Sequence, residues 1–272
     1  MIETRFPRTV VQTYPSNILP PALAENRQRM VEANPAWTFL LYDDAAIIGY
    51  IRDRFDQDVL KAYLSIDPSY GAARADLFRY LRIFAEGGVY LDVKSTLMRP
   101  LDTIITPQEE YLLCQWANGD DEPRRGFGLH KELRSIPGGE FQQWHIMARA
   151  GHPFLEAVVK CVLHNIRTYT PWRFGVGGLG VWRTTGPIAY TRAIAPLLSQ
   201  HPYRLVRDET KIGLQYSIET GYVHGLHFRQ RYTALGSPII QGGRVRSITD
   251  VVYTTMRNIK HQLADGNRRY GV

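Results

Sequence analysis

Apolar and polar positions follow two rhythms along this chain, and the clearest change from one to the other falls within residues 71–101. Leu77, Tyr80, Leu81 and Phe84 recur at i, i+3, i+4 and i+7, which is one face of a helix. Gly87 and Gly88 follow where a left-handed cap is expected, since glycine has no Cβ to clash there. Val89, Tyr90 and Leu91 then form an apolar run suited to a covered strand. Asp92 arrives as that strand runs out. A charge there is costly unless a partner, a metal or a ligand compensates it. In open α/β sheets ligands bind beyond the carboxyl ends of strands, so Asp92 is the first candidate for chemistry.

The same reading gives the other elements. Residues 7–14 read as a buried first strand, 21–33 as a helix opened by proline, and 37–42 as a second strand. Asp43 and Asp44 are placed to cap a helix over 45–55, and a further helix is expected over 59–66. Strand and helix in alternation predict an α/β fold with a mostly parallel central sheet flanked by helices. A strand over 109–117 leads into a long polar, glycine-rich loop, 118–139, of the kind that is often functional or mobile. Residues 141–148 read as strand or buried helix. His152 reads as a turn or cap before a helix over 154–169. The glycines of 174–180 lack the spacing of a phosphate loop. A helix over 188–198 follows Thr185, Gly186 and Pro187. Thr185 is either its N-cap, or part of a helix start whose amides meet an anion or a sugar hydroxyl. His224 and His227 are too weakly placed to make a metal site.

The chain of 272 residues is long enough to bury a substantial core, and no linker is evident. One domain over 1–272 is therefore expected. No apolar run approaches a membrane span, and the first residues lack the apolar centre of a signal peptide, so a cytoplasmic protein is expected. The basic, moderately amphipathic tail could rest on the inner face of an anionic membrane, although a solvated terminal helix explains it as well. Cys114 and Cys161 are too few for a disulfide framework and read as small buried thiols. The net charge of +7 favours anionic partners such as nucleotide diphosphates, and solubility alone is the plainer reading. The basic residues are scattered without an interleaved aromatic stripe, which argues against nucleic acid.

The central stretch resembles the sugar-nucleotide glycosyltransferases of family 32, which carry a DXD sugar-binding region. Their phrases A-D-x-x-R-Y and G-G-(I/V)-Y-L-D-x-D are matched by Ala75, Asp76, Arg79, Tyr80, Gly87, Gly88, Val89, Tyr90, Leu91 and Asp92. Lys94 stands where the second aspartate of the motif is usual. The opening phrase P-K-x-I-H-Q-T-W is echoed by Pro7, Arg8, Val10, Val11, Gln12, Thr13 and Tyr14. Asn34, Pro35, Trp37, Asp43 and Asp44 echo a second phrase, and Thr185, Gly186 and Pro187 a third. The resemblance implies a GT-A-like fold with a nucleotide-sugar half, about 1–115, and a helical or irregular acceptor-side half, about 116–272.

The same resemblance implies a retaining transferase that moves a hexose from a UDP- or GDP-sugar to a glycan or lipid-linked acceptor, as in polysaccharide biosynthesis. Asp76 would bind the donor sugar with Arg79 close by. Gln12, Thr13, Tyr14, Tyr80, Thr185 and Gly186 would line the donor, with Tyr14 either stacking on the base or serving as a core or rim aromatic. In the family the two aspartates hold Mn2+ or Mg2+ against the diphosphate, and hard cations prefer such oxygen ligands. With Lys94 in the motif, three outcomes are open. Lys94 itself meets the diphosphate, or the metal stays on Asp92 with another group, or the site is inactive and only binds sugar nucleotide. On an extended backbone Asp92 and Lys94 would point to one side. A glycoside hydrolase built on Asp76 and Asp92 is the remaining rival by residue type.

Overall fold

The computed structural model describes residues 6–218, 232–241, 252–253 and 255–256. In chain order the first half holds β1 (Thr9–Thr13), α1 (Pro21–Glu32), β2 (Thr38–Tyr42), α2 (Asp44–Arg54), α3 (Gln57–Ser65), α4 (Gly71–Glu86), β3 (Gly88–Leu91) and β4 (Thr96–Leu97). There follow β5 (Tyr111–Gln115), β6 (His145–Ala148), α5 (Pro153–Arg167), α6 (Pro171–Phe174), α7 (Gly177–Thr184), α8 (Pro187–Ile194), β7 (Arg204–Arg207) and β8 (Leu214–Gln215). Six strands form one sheet in the order β2-β1-β3-β6-β5-β7, and β4 pairs with β8 in a small second sheet. Within the large sheet only β6 runs against its neighbours. The expected α/β class and mostly parallel sheet are therefore present.

Alternation along the strands divides the core in two. Val11, Tyr90, Leu113 and Ile146 face Leu77, Leu81, Val158 and Ala189 of the helices on one side. Val10, Val89, Leu91, Leu112 and Met147 face Met30, Trp37, Ile104 and Ile105 on the other. Helix α4 is buried on nearly every side, not along one stripe, and it buries Asp76, Arg79 and Arg82 with its apolar residues. Phe84, read as part of the apolar face, is only half-buried. The expected helix starts are close to those observed. Asp43 accepts from the Ala46 amide at 2.8 Å, and Asp56 caps α3 two residues earlier than the apolar pattern indicated.

The glycine stop after α4 differs in kind from a left-handed cap. Gly87 has φ 66° and ψ −167°, which turns the chain directly into β3. Gly88 has φ +99°, and a Cβ there would lie 2.7 Å from the Thr9 carbonyl oxygen of β1. Backbone approach and conformation both exclude a side chain. Gly88→Ala is expected to destabilise by about 3 kcal/mol, or about 6–12 °C in Tm for a chain of this size. Thermal unfolding followed by circular dichroism checks this, and a loss under 2 °C would contradict it.

The loop 118–139 is a series of hydrogen-bonded turns with a short 3-10 turn at Lys131–Leu133, tied down by Asn118 and Gln115. His152 caps α5, its ring accepting from the Phe154 amide at 3.2 Å. Cys114 is fully buried, but Cys161 is only half-buried on α5. His224 and His227 lie outside the described residues, as does the tail except for 252–253 and 255–256. Among the described residues no helix is long and apolar enough to cross a membrane.

Candidate active site

Strands β1 and β3 run side by side and in the same direction, so Thr13 and Asp92 emerge at the same edge of the sheet. Helix α4 lies over that edge and offers Asp76 and Arg79, one turn apart. Arg79 is 4% exposed and stands between two carboxylates, 3.4 Å from Asp76 and 3.0 Å from Asp92. It also donates to the Gln143 carbonyl oxygen at 2.6 Å, and its guanidinium lies 4.3 Å from the centre of the Tyr90 ring. The Tyr90 hydroxyl is 2.9 Å from the Thr13 hydroxyl and donates to Asp92 at 3.2 Å. From the far half of the chain, the Thr185 hydroxyl donates to Asp76 at 2.9 Å. The result is a continuous polar array: Thr13, Tyr90, Asp92, Arg79, Asp76, Thr185.

Burial acts against the Arg79 charge, but Tyr90, Asp92 and Asp76 around it outweigh burial and hold the guanidinium protonated. Burial also pushes the Asp76 carboxyl up, against the pull of Arg79 and Thr185. Asp92 differs from Asp76 in access, since its side chain keeps 23% of its surface while that of Asp76 keeps 3%. Asp92 is thus the carboxylate of the array that a ligand reaches first.

The remaining expected residues are placed less uniformly. Tyr80 is fully buried, stacks on Tyr190 and donates to the Thr185 carbonyl oxygen at 2.9 Å. It supports Thr185 from behind. The Thr185 and Gly186 amides both bond to the Val181 carbonyl oxygen, and the residue before α8 is Gly186 with no side-chain cap. Thr185 is therefore not a helix cap, and its phrase contributes a hydroxyl to the array instead of free helix-start amides. Tyr14 is half-buried at the end of β1, its amide bonded to the Tyr42 carbonyl oxygen. Gln12 points to the opposite face of β1 from Thr13. It is fully buried, and neither of its amide atoms has a hydrogen-bond partner among the described residues.

Lys94 departs from the extended geometry that would align it with Asp92. The Asp92 carbonyl oxygen accepts from the Ser95 amide at 2.9 Å, so the chain turns immediately after the strand. Lys94 donates to the Tyr216 hydroxyl at 2.9 Å. Burial and the nearby Asp92 and Glu140 carboxylates push the Tyr216 phenol up. The ammonium is therefore held on Tyr216, whose ring centre it also approaches at 4.1 Å. For a divalent cation this donor set is poor: Asp92 is the one partly exposed carboxylate of the array, and it is already paired with Arg79. No cluster of three metal-ligating side chains occurs among the described residues. Such residues do not make a hard-cation site on their own.

Sequence reasoning passed over Tyr90, Gln143 and Tyr216. Tyr90 was in view as an apolar strand residue, and its position two before Asp92 puts both side chains on one face. Tyr216 carries no local signal, because it is joined to the site only through the pairing of β4 with β8.

Beneath the site, His145 pairs with Leu91 across β6 and β3 and is 1% exposed, with no partner for Nδ1. Burial lowers its pKa to about 3, and burial first of all lowers that of His152 to about 4. Unfolded imidazoles take up protons near pH 6.5, so the unfolded state binds more protons below that pH. Their contribution is complete above pH 6.5 and is lost as the pH falls toward these values. Stability is expected to drop between pH 6.5 and 4.5 by on the order of 1 kcal/mol per pH unit for each ring. Urea unfolding of the wild type and His145→Gln across this range checks it. Parallel profiles would contradict it.

The sheet, with one antiparallel strand and Asp92 following β3, has the GT-A-type glycosyltransferase fold. The solved structure titled "PaToxG Glycosyltransferase" superposes with a TM-score of 0.50 at 13% identity, covering 72% of this chain and 70% of that one. Residues 20–112 match the family described as "Glycosyltransferase sugar-binding region containing DXD motif". An "Initiation-specific alpha-1,6-mannosyltransferase" of Candida albicans is 30% identical over 165 residues, which is 57% of this chain and 42% of the relative. "Mannosyl phosphorylinositol ceramide synthase CSH1" of Saccharomyces cerevisiae is 28% identical over 102 residues, 37% of this chain and 26% of the relative. The chain thus spans less than half the length of these curated relatives.

Proposed function

We propose that the chain is a glycosyltransferase that moves a hexose from a UDP- or GDP-sugar to a glycan or lipid-linked acceptor, with retention at the anomeric carbon. The observation that carries this reading is the array from Thr13 to Thr185, in which two carboxylates and one arginine meet at the edge of a parallel sheet. Asp92, the accessible carboxylate, and Asp76, buried behind it and held by the Thr185 hydroxyl, are assigned to the donor sugar, and Arg79 holds both carboxylates in register. Retention needs no protein nucleophile in this scheme. The bond from the anomeric carbon to the phosphate oxygen breaks as the acceptor oxygen bonds on the same face, and the acceptor proton passes to the departing phosphate. Catalysis then rests on positioning and charge stabilisation. The names of the two yeast relatives make mannose the first sugar to test.

Lys94 is assigned to the charge of the departing diphosphate, in place of the second carboxylate of the motif. It follows that Mn2+ or Mg2+, with Asp92 as its one ligand from the array, contributes weakly. Nucleoside diphosphate release from a panel of UDP- and GDP-sugars, with and without chelator, tests this reading. Wild-type turnover is expected to survive chelation within about threefold, while Lys94→Asp should make turnover depend on Mn2+ by about tenfold or more. Full loss on chelation with full recovery on Mn2+ would remove Lys94 from this role. Donor binding without turnover on any acceptor would favour a sugar-nucleotide binder instead.

A further inference from the structure

Beyond the donor array, a groove of about 450 Å3 opens beside α7, lined by Gly175, Val176, Gly178, Leu179, Trp182 and Tyr253 among others. Among the described residues no charged side chain lines it. Its edge carries Trp172, 58% exposed, with the Tyr253 ring edge-on at 5.0 Å. Trp182 links this groove to the donor array. Tyr232 is hydrogen-bonded to Trp182, and three residues after Trp182 the Thr185 hydroxyl donates to Asp76 at 2.9 Å. The His130 ring also lies 5.1 Å from that of Trp182. His130 is hydrogen-bonded at 2.7 Å to Glu140, which accepts from the Trp116 indole at 2.7 Å.

The packing around this chain of contacts leaves little freedom. A Cβ on Gly177 would lie 2.9 Å from the carbonyl oxygens of Thr233 and Leu235, so the segment carrying Tyr232 is seated directly on the start of α7. A Cβ on Gly128 would lie 2.5 Å from the Glu140 side chain, so the loop 118–139 closes tightly on the carboxylate that holds His130. Trp182 is thereby fixed between the donor array and an open apolar groove, and it remains partly exposed.

We propose that this groove is the acceptor site, and that it takes a glycoside with an apolar tail. The sugar packs its C–H face on Trp182, and the tail lies along Leu179 toward Trp172 and Tyr253. An indole offers a flat apolar face with a polar edge, which suits a pyranose ring. Beyond it the described lining is glycine, Val176 and Leu179 with only the Thr233 and Tyr253 hydroxyls at its edge, which fits a hydrocarbon tail better than a further sugar. The short run from Trp182 to Thr185, which bonds Asp76, brings the acceptor hydroxyl toward the donor array. Glu140 and His130 act as positioning residues for the indole. This inference rests on the transferase reading and names the acceptor for it.

The test is calorimetric binding of octyl and methyl α-mannoside, and of the matching glucosides, to the full chain below the micelle concentration of the octyl compounds. Each pair differs only in its tail, so the comparison reads the groove whichever sugar is preferred. The octyl member is expected to bind at one site, tighter by about tenfold or more, as burial of a few methylenes gives. Leu179 is 42% exposed, so Leu179→Asp keeps the fold. It should erase the advantage of the tail while nucleotide-sugar affinity stays within about twofold. Trp182→Phe should weaken both glycosides of a pair. Equal binding of octyl and methyl members, non-saturating uptake, or an octyl advantage that survives Leu179→Asp would overturn the proposal. The same calorimeter run with nucleotide-sugar separates the two readings, because a wild type that binds no donor fails as a transferase whatever the groove does.

Discussion

Replacing Asp92 with asparagine is expected to lower the rate of transfer by about 10^3-fold, the scale of removing one preorganised charge-stabilising group from an active site. The structure gives reasons to expect the effect in turnover and not in folding. An asparagine keeps an oxygen for the Tyr90 hydroxyl and for Arg79, which Asp92 now meets at 3.2 and 3.0 Å. Asp92 also sits after β3, on a turn held by its own backbone carbonyl, so no element depends on its side chain. Tm is therefore expected to hold within a few degrees. Steady-state release of nucleoside diphosphate, with thermal unfolding on the same sample, checks both halves. A variant as active as the wild type would remove Asp92 from the chemistry.

Arg79→Met should act on both folding and turnover. Asp76 has almost no access to water, and Arg79 is its cationic partner in the array. Methionine fills much of the space but leaves a buried carboxylate without a counter-ion. Breaking a buried pair from one side costs about 3–5 kcal/mol. For a chain of this size that is about 6–20 °C in Tm. The cost should be partly recovered by adding Asp76→Asn, because the orphaned charge is then gone. Activity should not return with it, since the carboxylate proposed to serve the donor sugar has been lost too. Equilibrium urea unfolding of the two single variants and the double variant gives the coupling directly. Additive losses would mean that the two side chains do not act as a pair.

Much of this arrangement was legible before any coordinates. A helix rhythm that places Asp76 and Arg79 one turn apart, and a covered strand that stops at Asp92, already bring three groups to one place. What sequence could not show were contacts that depend on distant segments. The Thr185 phrase reads either as an N-cap or as a helix start whose amides meet a ligand, yet it is the Thr185 hydroxyl that takes part, bonding to Asp76, 109 residues earlier. Lys94 was expected beside Asp92 by strand alternation, and a turn at Ser95 broke the premise. Tyr216 and Tyr232 reach the site only because the tertiary fold lays their segments across it. The antiparallel β6 was hidden for a similar reason. Its apolar run, His145–Ala148, is fully covered, and a buried run carries no mark of its direction.

The proposed donor-sugar site is tested most directly by calorimetric comparison of a nucleotide-sugar with its bare nucleoside diphosphate, on the wild type, Asp76→Asn and Thr185→Val. The wild type should bind the sugar-bearing ligand more tightly. The two variants should lose that preference while holding the diphosphate as before. Variants that keep the preference, or a wild type that binds neither ligand, would contradict the placement of a donor sugar against this array.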